Sequence, residues 1–322
     1  MVVEMEQVPG KNPSTSQSEI QKTDFIWMNG ATVPWDEAKV PVMTHALHYG
    51  TGVFEGLRGY GTDGNLLVFR MKEHFERLQQ SANICDIESP YSSVELEHAC
   101  LELLRANQIK EDCYIRPIVF VGFSGIDLSF LGYPVQAAIV AFPFKHYFSK
   151  PGLDVCVSSW TRLHDAVTPP MAKICGNYVN SVFAKREAGK NGFEEAIMLN
   201  STGKVSEGSG ENIFVVKRGM LYTPTLSSSI LEGITRNTVI ELAGKLGFEV
   251  VERDIMRAEL YTADELFLTG TAAGIAPVIS VDRKSVASGR VGIMTHRLSE
   301  AYNSLVLGKK TFGHDDWVTR VY

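Results

Sequence analysis

A chain of 322 residues, 44% hydrophobic and 21% charged, with a formal net charge of -6, is long enough for two hydrophobic cores and carries no positive excess for nucleic acid. No apolar run approaches the ~20 residues that span a bilayer; the best candidate, YPVQAAIVAFPF, is short and holds two prolines. The five cysteines, Cys85, Cys100, Cys113, Cys156 and Cys175, are an odd number without a CxxC pair, which argues against a disulfide framework or a thiolate zinc site and for a reducing, cytoplasmic setting.

Residues 1–23 are polar and mildly acidic, lack the basic start and apolar centre of a signal peptide, and are predicted to be a disordered leader. A smaller N-terminal α/β domain is predicted over 24–140. It opens with FIWMNG, an apolar run entering an Asn-Gly hairpin turn. HALH sets His45 and His48 three apart, and His74 in EHFER offers a third nitrogen. Without an HExxH glutamate or a carboxylate at set spacing, ordinary hydrogen-bonded histidines are the better reading, and no metal is expected. Leu96, Ala99, Cys100, Leu103 and Leu104 recur at helical spacing in VELEHACLELLRAN, and YIRPIVFVG and VQAAIVAF read as buried strands. The aromatic stretch 141–150 is the predicted interdomain linker, of the kind that lines a cleft.

A larger C-terminal domain is predicted over 151–322, beginning with the strand DVCVSSW. MAKICGNYVN then sets Lys173 among small and apolar neighbours before a Gly-Asn-Tyr turn. By spacing alone a solvated lysine is the simpler reading; the sharper one is an amine in a partly apolar pocket, where burial disfavours the ammonium and leaves a nucleophile. VNSVFAKREAG reads as a helix ending near Gly189, and EEAIMLNSTGKVSEG and ENIFVVKRGMLYT as strands joined by turns. In SEGSGEN, Glu207 and Glu211 flank small residues, forming either a solvated turn or a carboxylate able to keep a ring nitrogen protonated. GxxxxGK[ST] and GxGxxG after a strand are both absent, but two places suit a phosphate: the amides of Ile234 and Thr235 in GITR, and the small-residue turn LTGTAAG. Thr235 is predicted to cap the helix that carries Val239, Leu242, Ala243 and Leu246 on one face.

Taken in order, HALHYGTGVFEGLRGY, FERL, YIRP, AKxxGNY, SEGSGENIF, GITR and GTAAG resemble the branched-chain amino acid aminotransferases, from FIWMNG to the final helix. The resemblance implies a two-domain α+β/α/β chain of pyridoxal phosphate (PLP) fold type IV, with the active site in the interdomain cleft. It implies transfer of the amino group of L-leucine, isoleucine or valine to 2-oxoglutarate, ping-pong through pyridoxamine phosphate. Lys173 would bond the cofactor and carry the proton, Glu207 would face the pyridine nitrogen and Tyr178 the phenolic oxygen. Arg77, Ile234, Thr235 and Thr271 would hold the phosphate, with Gly210 and Gly270 against the cofactor. Tyr49, Phe54, Phe144 and Tyr147, with Gly56, would wall the substrate pocket; Tyr114 and Ala272 would meet the α-carboxylate and Arg116 the distal one. Ile126 and Leu128 would close the pocket of a neighbouring subunit, so a homodimer is the minimum assembly, and amino acids and 2-oxo acids are the expected partners.

Three departures bear on specificity: Phe144 stands where many relatives carry tryptophan, Gly274 where a glutamate often follows the GTAA turn, and FSGIDLSFLG differs from the usual loop. They leave D-amino acids, (R)-amines or aromatic substrates as alternatives within the fold. An aminodeoxychorismate lyase-like enzyme is opposed by the Tyr114 and Arg116 pair, and a silent binding protein by the presence of Lys173, Glu207 and Tyr178 together.

Overall fold

The Asn-Gly signal is a hairpin: β1 (Phe25–Met28) and β2 (Ala31–Pro34) pair across Asn29 and Gly30, whose φ values of 50° and 90° are those such a turn requires. The computed structural model describes residues 20–322, so the predicted leader falls almost wholly outside the described residues. The first half continues through α1 (His45–Tyr49), β3 (Gly52–Phe54), β4 (Leu57–Thr62), β5 (Asn65–Phe69), α2 (Met71–Ile84), α3 (Ser93–Ala106), β6 (Cys113–Val121) and β7 (Val135–Pro143). The second half runs β8 (Leu153–Thr161), α4 (Tyr178–Lys190), β9 (Glu195–Leu199), β10 (Val205–Gly208), β11 (Asn212–Lys217), β12 (Met220–Thr223), α5 (Ile234–Lys245), β13 (Val250–Glu252), α6 (Arg257–Leu260), β14 (Glu265–Gly270), β15 (Gly274–Val281), β16 (Lys284–Ser285), α7 (Ile293–Val306) and β17 (Val318–Arg320).

Two sheets result, an antiparallel one in the order β17-β5-β4-β6-β7-β1-β2, with β3 beside β6, and a mixed one in the order β10-β9-β8-β15-β14-β11-β12-β13, with β16 beside β15. The first packs on α2 and α3. Ser92 and Glu95 close a capping box at the start of α3, and all five residues of its predicted apolar face are buried. On α2 the buried face also includes two polar residues, His74 and Ser81. Strand β6 alternates as a half-buried strand should: Cys113, Ile115, Pro117 and Val119 enter the core, while Tyr114, Arg116 and Ile118 face the other way and are only partly covered. In the second sheet α5 and α7 cover one face with Val239, Leu242, Leu298 and Leu305, and a separate core containing Leu153, Ile213 and Leu268 fills the other.

Strand pairing reaches across two of the predicted boundaries. Ala141 to Pro143 stay paired with β6, so the connection between sheets begins at Phe144. The chain end also leaves the second half: β17 pairs with β5 of the first sheet, Trp317 packs against Phe69 and lies 4.3 Å beneath the Arg70 guanidinium, and the Tyr322 hydroxyl donates to the Leu104 carbonyl at 3.0 Å. Among the described residues no helix is long and apolar enough to cross a membrane.

Candidate active site

Lys173 follows β8 in sequence, yet its backbone is laced to the first sheet. Phe54 N donates to Lys173 O at 3.1 Å, Val53 bridges Ile174, and the amides of Cys175 and Gly176 donate to Gly52 O and Gly50 O at 2.8 and 3.2 Å. The two segments touch so closely that a Cβ on Gly50, whose φ is +66°, would lie 2.7 Å from Gly176 Cα. From α2, Ser81 Oγ accepts the Lys173 amide at 3.0 Å. The lysine therefore stands between the sheets and is partly buried, which excludes the solvated reading. Its Nζ donates to the Tyr178 hydroxyl at 2.6 Å and lies 5.1 Å from the centre of the Phe54 ring.

Phe54 joins the lysine to the next cation. Its ring packs edge-on to Tyr178 at 4.7 Å, and the Arg116 guanidinium lies 4.7 Å from its centre. Arg116 donates to the Tyr114 hydroxyl at 3.0 Å, has no carboxylate partner among the described residues, and leaves its buried Nε unpartnered. Gly56 makes room here, since a Cβ on it would fall 2.0 Å from that hydroxyl. Phe144 stands 5.6 Å from Tyr114, and Arg58 ties it to the far wall by donating to Phe144 O, Lys145 O and Ala272 O at 3.3, 3.0 and 3.3 Å.

Glu207 enters from β10, buried to 4% exposure. One oxygen meets Arg162 Nη2 at 2.8 Å; the other accepts from Asn212 Nδ2 at 3.0 Å and Leu231 N at 3.1 Å. Burial pushes its carboxyl up from the ordinary value, and the Arg162 charge opposes this. Nearby, Glu211 is also buried and pushed up, by burial first and by Glu195 second, with Lys185 opposing. Gly210 and Gly270 meet beside it: a Cβ on Gly270 would lie 3.3 Å from Glu211 Cγ and 3.5 Å from Gly210 O. The Tyr147 hydroxyl is raised by burial, with Glu211 and Glu195 adding to the effect.

The predicted cap at Thr235 is corrected: α5 begins at Ile234, and the capping position is Gly233, extended at φ -76° and ψ 129°. Glycine has no side chain to accept the first amides, and no side-chain cap bond forms here among the described residues. Ile234 and Thr235 are both buried, and among the described residues no acceptor for their N–H groups is found. The β14–β15 hairpin, turning through Thr271, Ala272 and Ala273, is the second predicted phosphate position. Arg77 reaches the first through Nη1, which donates to Glu232 O at 2.7 Å.

Over residues 52–281 the sequence matches the family described as amino-transferase class IV. The chain belongs to the class IV aminotransferases. It is 45% identical over 302 residues to the branched-chain-amino-acid aminotransferase of Escherichia coli (strain K12), covering 92% of this chain and 96% of that one. The crystal structure of the branched-chain aminotransferase of Thermoproteus uzoniensis with norvaline superimposes with a TM-score of 0.90 at 47% identity, covering 93% of this chain and 100% of that one. The T.th. branched-chain amino acid aminotransferase complexed with N-(5'-phosphopyridoxyl)-L-glutamate gives 0.90 at 43% identity, covering 94% and 99%. The expected family and the mixed α+β fold of type IV are borne out.

For a class IV aminotransferase the sequence motifs left two anchors unseen, Arg162 behind Glu207 and Glu55 behind Arg77, and left the contacts that Arg58 makes across the cleft unread. Arg162 and Arg58 carry no local signal, but Glu55 is a carboxylate inside the apolar run VFEGL, and such a residue needs partners. It accepts from Arg77 Nε at 2.6 Å, Arg77 Nη2 at 2.9 Å and His74 Nδ1 at 2.7 Å. Burial pushes the Glu55 carboxyl up, but Arg77 and His74 more than reverse this and hold it well below the usual carboxylate range. Burial also lowers the His74 value, so at neutral pH its contribution is a neutral N–H and the charge is Arg77's.

Not every predicted residue joins the Lys173 cluster. Tyr49 is 44% exposed and packs on His45 at 4.6 Å, lining a separate apolar cavity of about 590 Å³ with Phe130, Ile174 and Phe183. Ile126 and Leu128 stand on an exposed loop. The three histidines each have their own bond: His45 to Thr51, His48 to Val42 O, His74 to Glu55.

Glu55→Gln is expected to cost about 3 kcal/mol in urea unfolding, because it leaves the Arg77 cation without its buried partner. The depressed native value sets the sign with pH. The wild-type advantage is complete above the ordinary carboxylate range and shrinks as pH falls through that range toward the native value. Unfolding curves of both proteins across that range check both points.

Proposed function

We propose that this class IV aminotransferase moves the amino group of leucine, isoleucine or valine to 2-oxoglutarate, in two half-reactions that share one pocket, with pyridoxal 5'-phosphate as the resident carrier. The observation that carries the reading is the Phe54 ring, with the Lys173 amine 5.1 Å and the Arg116 guanidinium 4.7 Å from its centre. An amine and an uncommitted cation against one aromatic ring suit a substrate that is aliphatic in one half-reaction and dicarboxylic in the other. The name of the Escherichia coli relative and the phosphopyridoxyl-glutamate in the T.th. structure support both halves.

The residues fit the carrier: buried, uncapped amides at Ile234 and Thr235 suit a phosphate, and an anchored Glu207 suits a ring nitrogen. When bound, pyridoxal phosphate supplies an aldehyde that takes the amino group and a ring that draws electrons from the bond being broken. Lys173 Nζ, oriented by the Tyr178 hydroxyl, would hold the carrier, and the same amine would move the proton at the substrate Cα. Glu207 keeps a proton on the ring nitrogen, and Arg162, Asn212 and Leu231 keep Glu207 from turning away. Arg77, Thr271, Gly210 and Gly270 complete the cofactor's surroundings. Phe54, Gly56, Phe144 and Tyr147 exclude water from an aliphatic side chain, Tyr114 and Ala272 meet the α-carboxylate, and Arg116 meets the distal one.

The working unit is at least a homodimer. Tyr49, Ile126, Leu128, Leu131, Val179 and Phe183 are all large, apolar and more than 40% exposed, a surface that a second copy would cover.

Purified enzyme assayed with L-amino acids, D-amino acids and (R)-amines as donors tests the reading; leucine, isoleucine and valine should be fastest, and a preference for D-amino acids or (R)-amines would overturn it. Arg116→Met should slow the 2-oxoglutarate half-reaction by about 10²- to 10³-fold, since a dicarboxylate then buries a charge without its cation, and should largely spare the leucine half-reaction. Single-turnover absorbance follows each half separately. Equal losses would move Arg116 to the α-carboxylate or to the fold.

A further inference from the structure

The loop between β6 and β7 carries Ile126 and Leu128, each 69% exposed. Side chains in such a place keep a set position only if the backbone beneath them is held. One side chain from outside the loop does this. His45, at the start of α1 and 1% exposed, places Nε2 3.2 Å from the Asp127 carbonyl oxygen and Nδ1 2.7 Å from Thr51 Oγ1. A carbonyl oxygen only accepts, so Nε2 carries a proton and donates, while Thr51 fixes the other side of the ring. The His45 amide donates to Gly122 O at 3.1 Å, and Thr44 bridges Phe123. The imidazole also lies 5.8 Å from Phe130 and 5.6 Å from Tyr133, both on the loop, and 4.6 Å from Tyr49.

The loop is braced around the same residue. Asp127 N donates to the Tyr133 hydroxyl at 3.1 Å, its carboxylate accepts from Ser129 N and Oγ at 3.0 and 2.9 Å, and its carbonyl accepts from Phe130 N at 3.1 Å. The carbonyl that His45 grips therefore belongs to the residue between the two exposed apolar side chains. Neither ring nitrogen of His45 bonds to Lys173, Tyr178, Glu207 or Arg116.

We propose that His45 is a positioning residue for substrate specificity that acts across the dimer, fixing Asp127 so that Ile126 and Leu128, with Tyr49 in the same packed unit, close the substrate pocket of the second copy. This rests on the dimeric transaminase reading above. A loosened loop weakens the grip on an aliphatic side chain in the ground and transition states alike, so KM rises while kcat holds.

Heterodimers carrying two different affinity tags separate action within a subunit from action across the dimer. In the first pair, one subunit carries Lys173→Ala and the other His45→Ala; the sole working lysine is then served by an intact loop from its neighbour. In the second, both substitutions sit in one subunit, and the working wild-type subunit receives the damaged loop. The expected KM for leucine is near wild type in the first pair and about tenfold higher in the second, with kcat within about twofold and the bound cofactor's absorbance unchanged. His45→Gln, whose amide can still donate to Asp127 O, should recover most of the loss. If His45→Ala does not assemble, His45→Phe keeps a ring, loses the donor and takes its place in both pairs. A raised KM in the first pair, or equal KM values in the two, overturns the proposal alone; a wild type that does not turn over leucine removes the functional reading as well.

Discussion

Lys173→Ala is expected to lower leucine turnover by about 10⁴-fold or more, the largest loss of any single substitution in the site, because in the proposed mechanism one atom would supply both the covalent hold and the proton path. The fold should survive it. The structural bonds at this position are made by the backbone, through the Lys173 carbonyl to Phe54 N and the Lys173 amide to Ser81 Oγ, and alanine keeps both. Single-turnover absorbance with saturating pyridoxal phosphate measures the loss, and a melting curve measures the fold. A small primary amine added to the variant should restore part of the proton transfer, since truncation leaves room where Nζ stood. Turnover within about tenfold of wild type would remove Lys173 from both roles.

Glu207→Gln should cost about 10²- to 10³-fold in the leucine half-reaction while the cofactor is still held. The amide matches the carboxylate in shape and can still accept from Leu231 N. It cannot favour a proton on a ring nitrogen, and it leaves the Arg162 guanidinium, 7% exposed, without its counter-charge. The pH profile gives an independent sign. Protonation of Glu207 would take its charge away from the ring nitrogen, so the wild-type rate should fall on the acid side as that carboxyl gains its proton. The glutamine variant, with nothing to titrate there, should lack that acid limb. An unchanged rate, or an acid limb shared by both proteins, would dismiss the assignment.

Local order carried much of the molecule. A hairpin needs only Asn29 and Gly30 to accept positive φ, and α3 needs only apolar residues at helical spacing with Ser92 to open it, so both were readable within a dozen residues. The same holds for Lys173, whose setting among small residues before a turn is local. What the sequence hid is made by distant partners. Arg162 lies at the end of one strand and meets Glu207 on another, and Arg58 joins residues 144, 145 and 272; no spacing rule links such positions. The start of α5 was misplaced because threonine is the better cap in isolation, whereas the buried entry to this helix is occupied by a glycine that leaves its amides open. Tyr49 shares a motif with Phe54 but not a cavity, since α1 ends between them at Gly50, in the left-handed conformation, and the chain changes direction.

The return of the C-terminal segment to the first sheet changes how the two halves can move. Two bodies joined by one flexible connection swivel about any axis through it. Here the chain is tied to the first sheet at three places, after Pro143, through residues 173–176 and before Trp317, and the last is pinned by strand pairing and by the Arg70–Trp317 stack. Each further tie removes freedom of rotation between the halves. Residues contributed by both halves, Lys173, Glu207 and Arg116 among them, are then held in register by backbone bonds as well as by side-chain contacts.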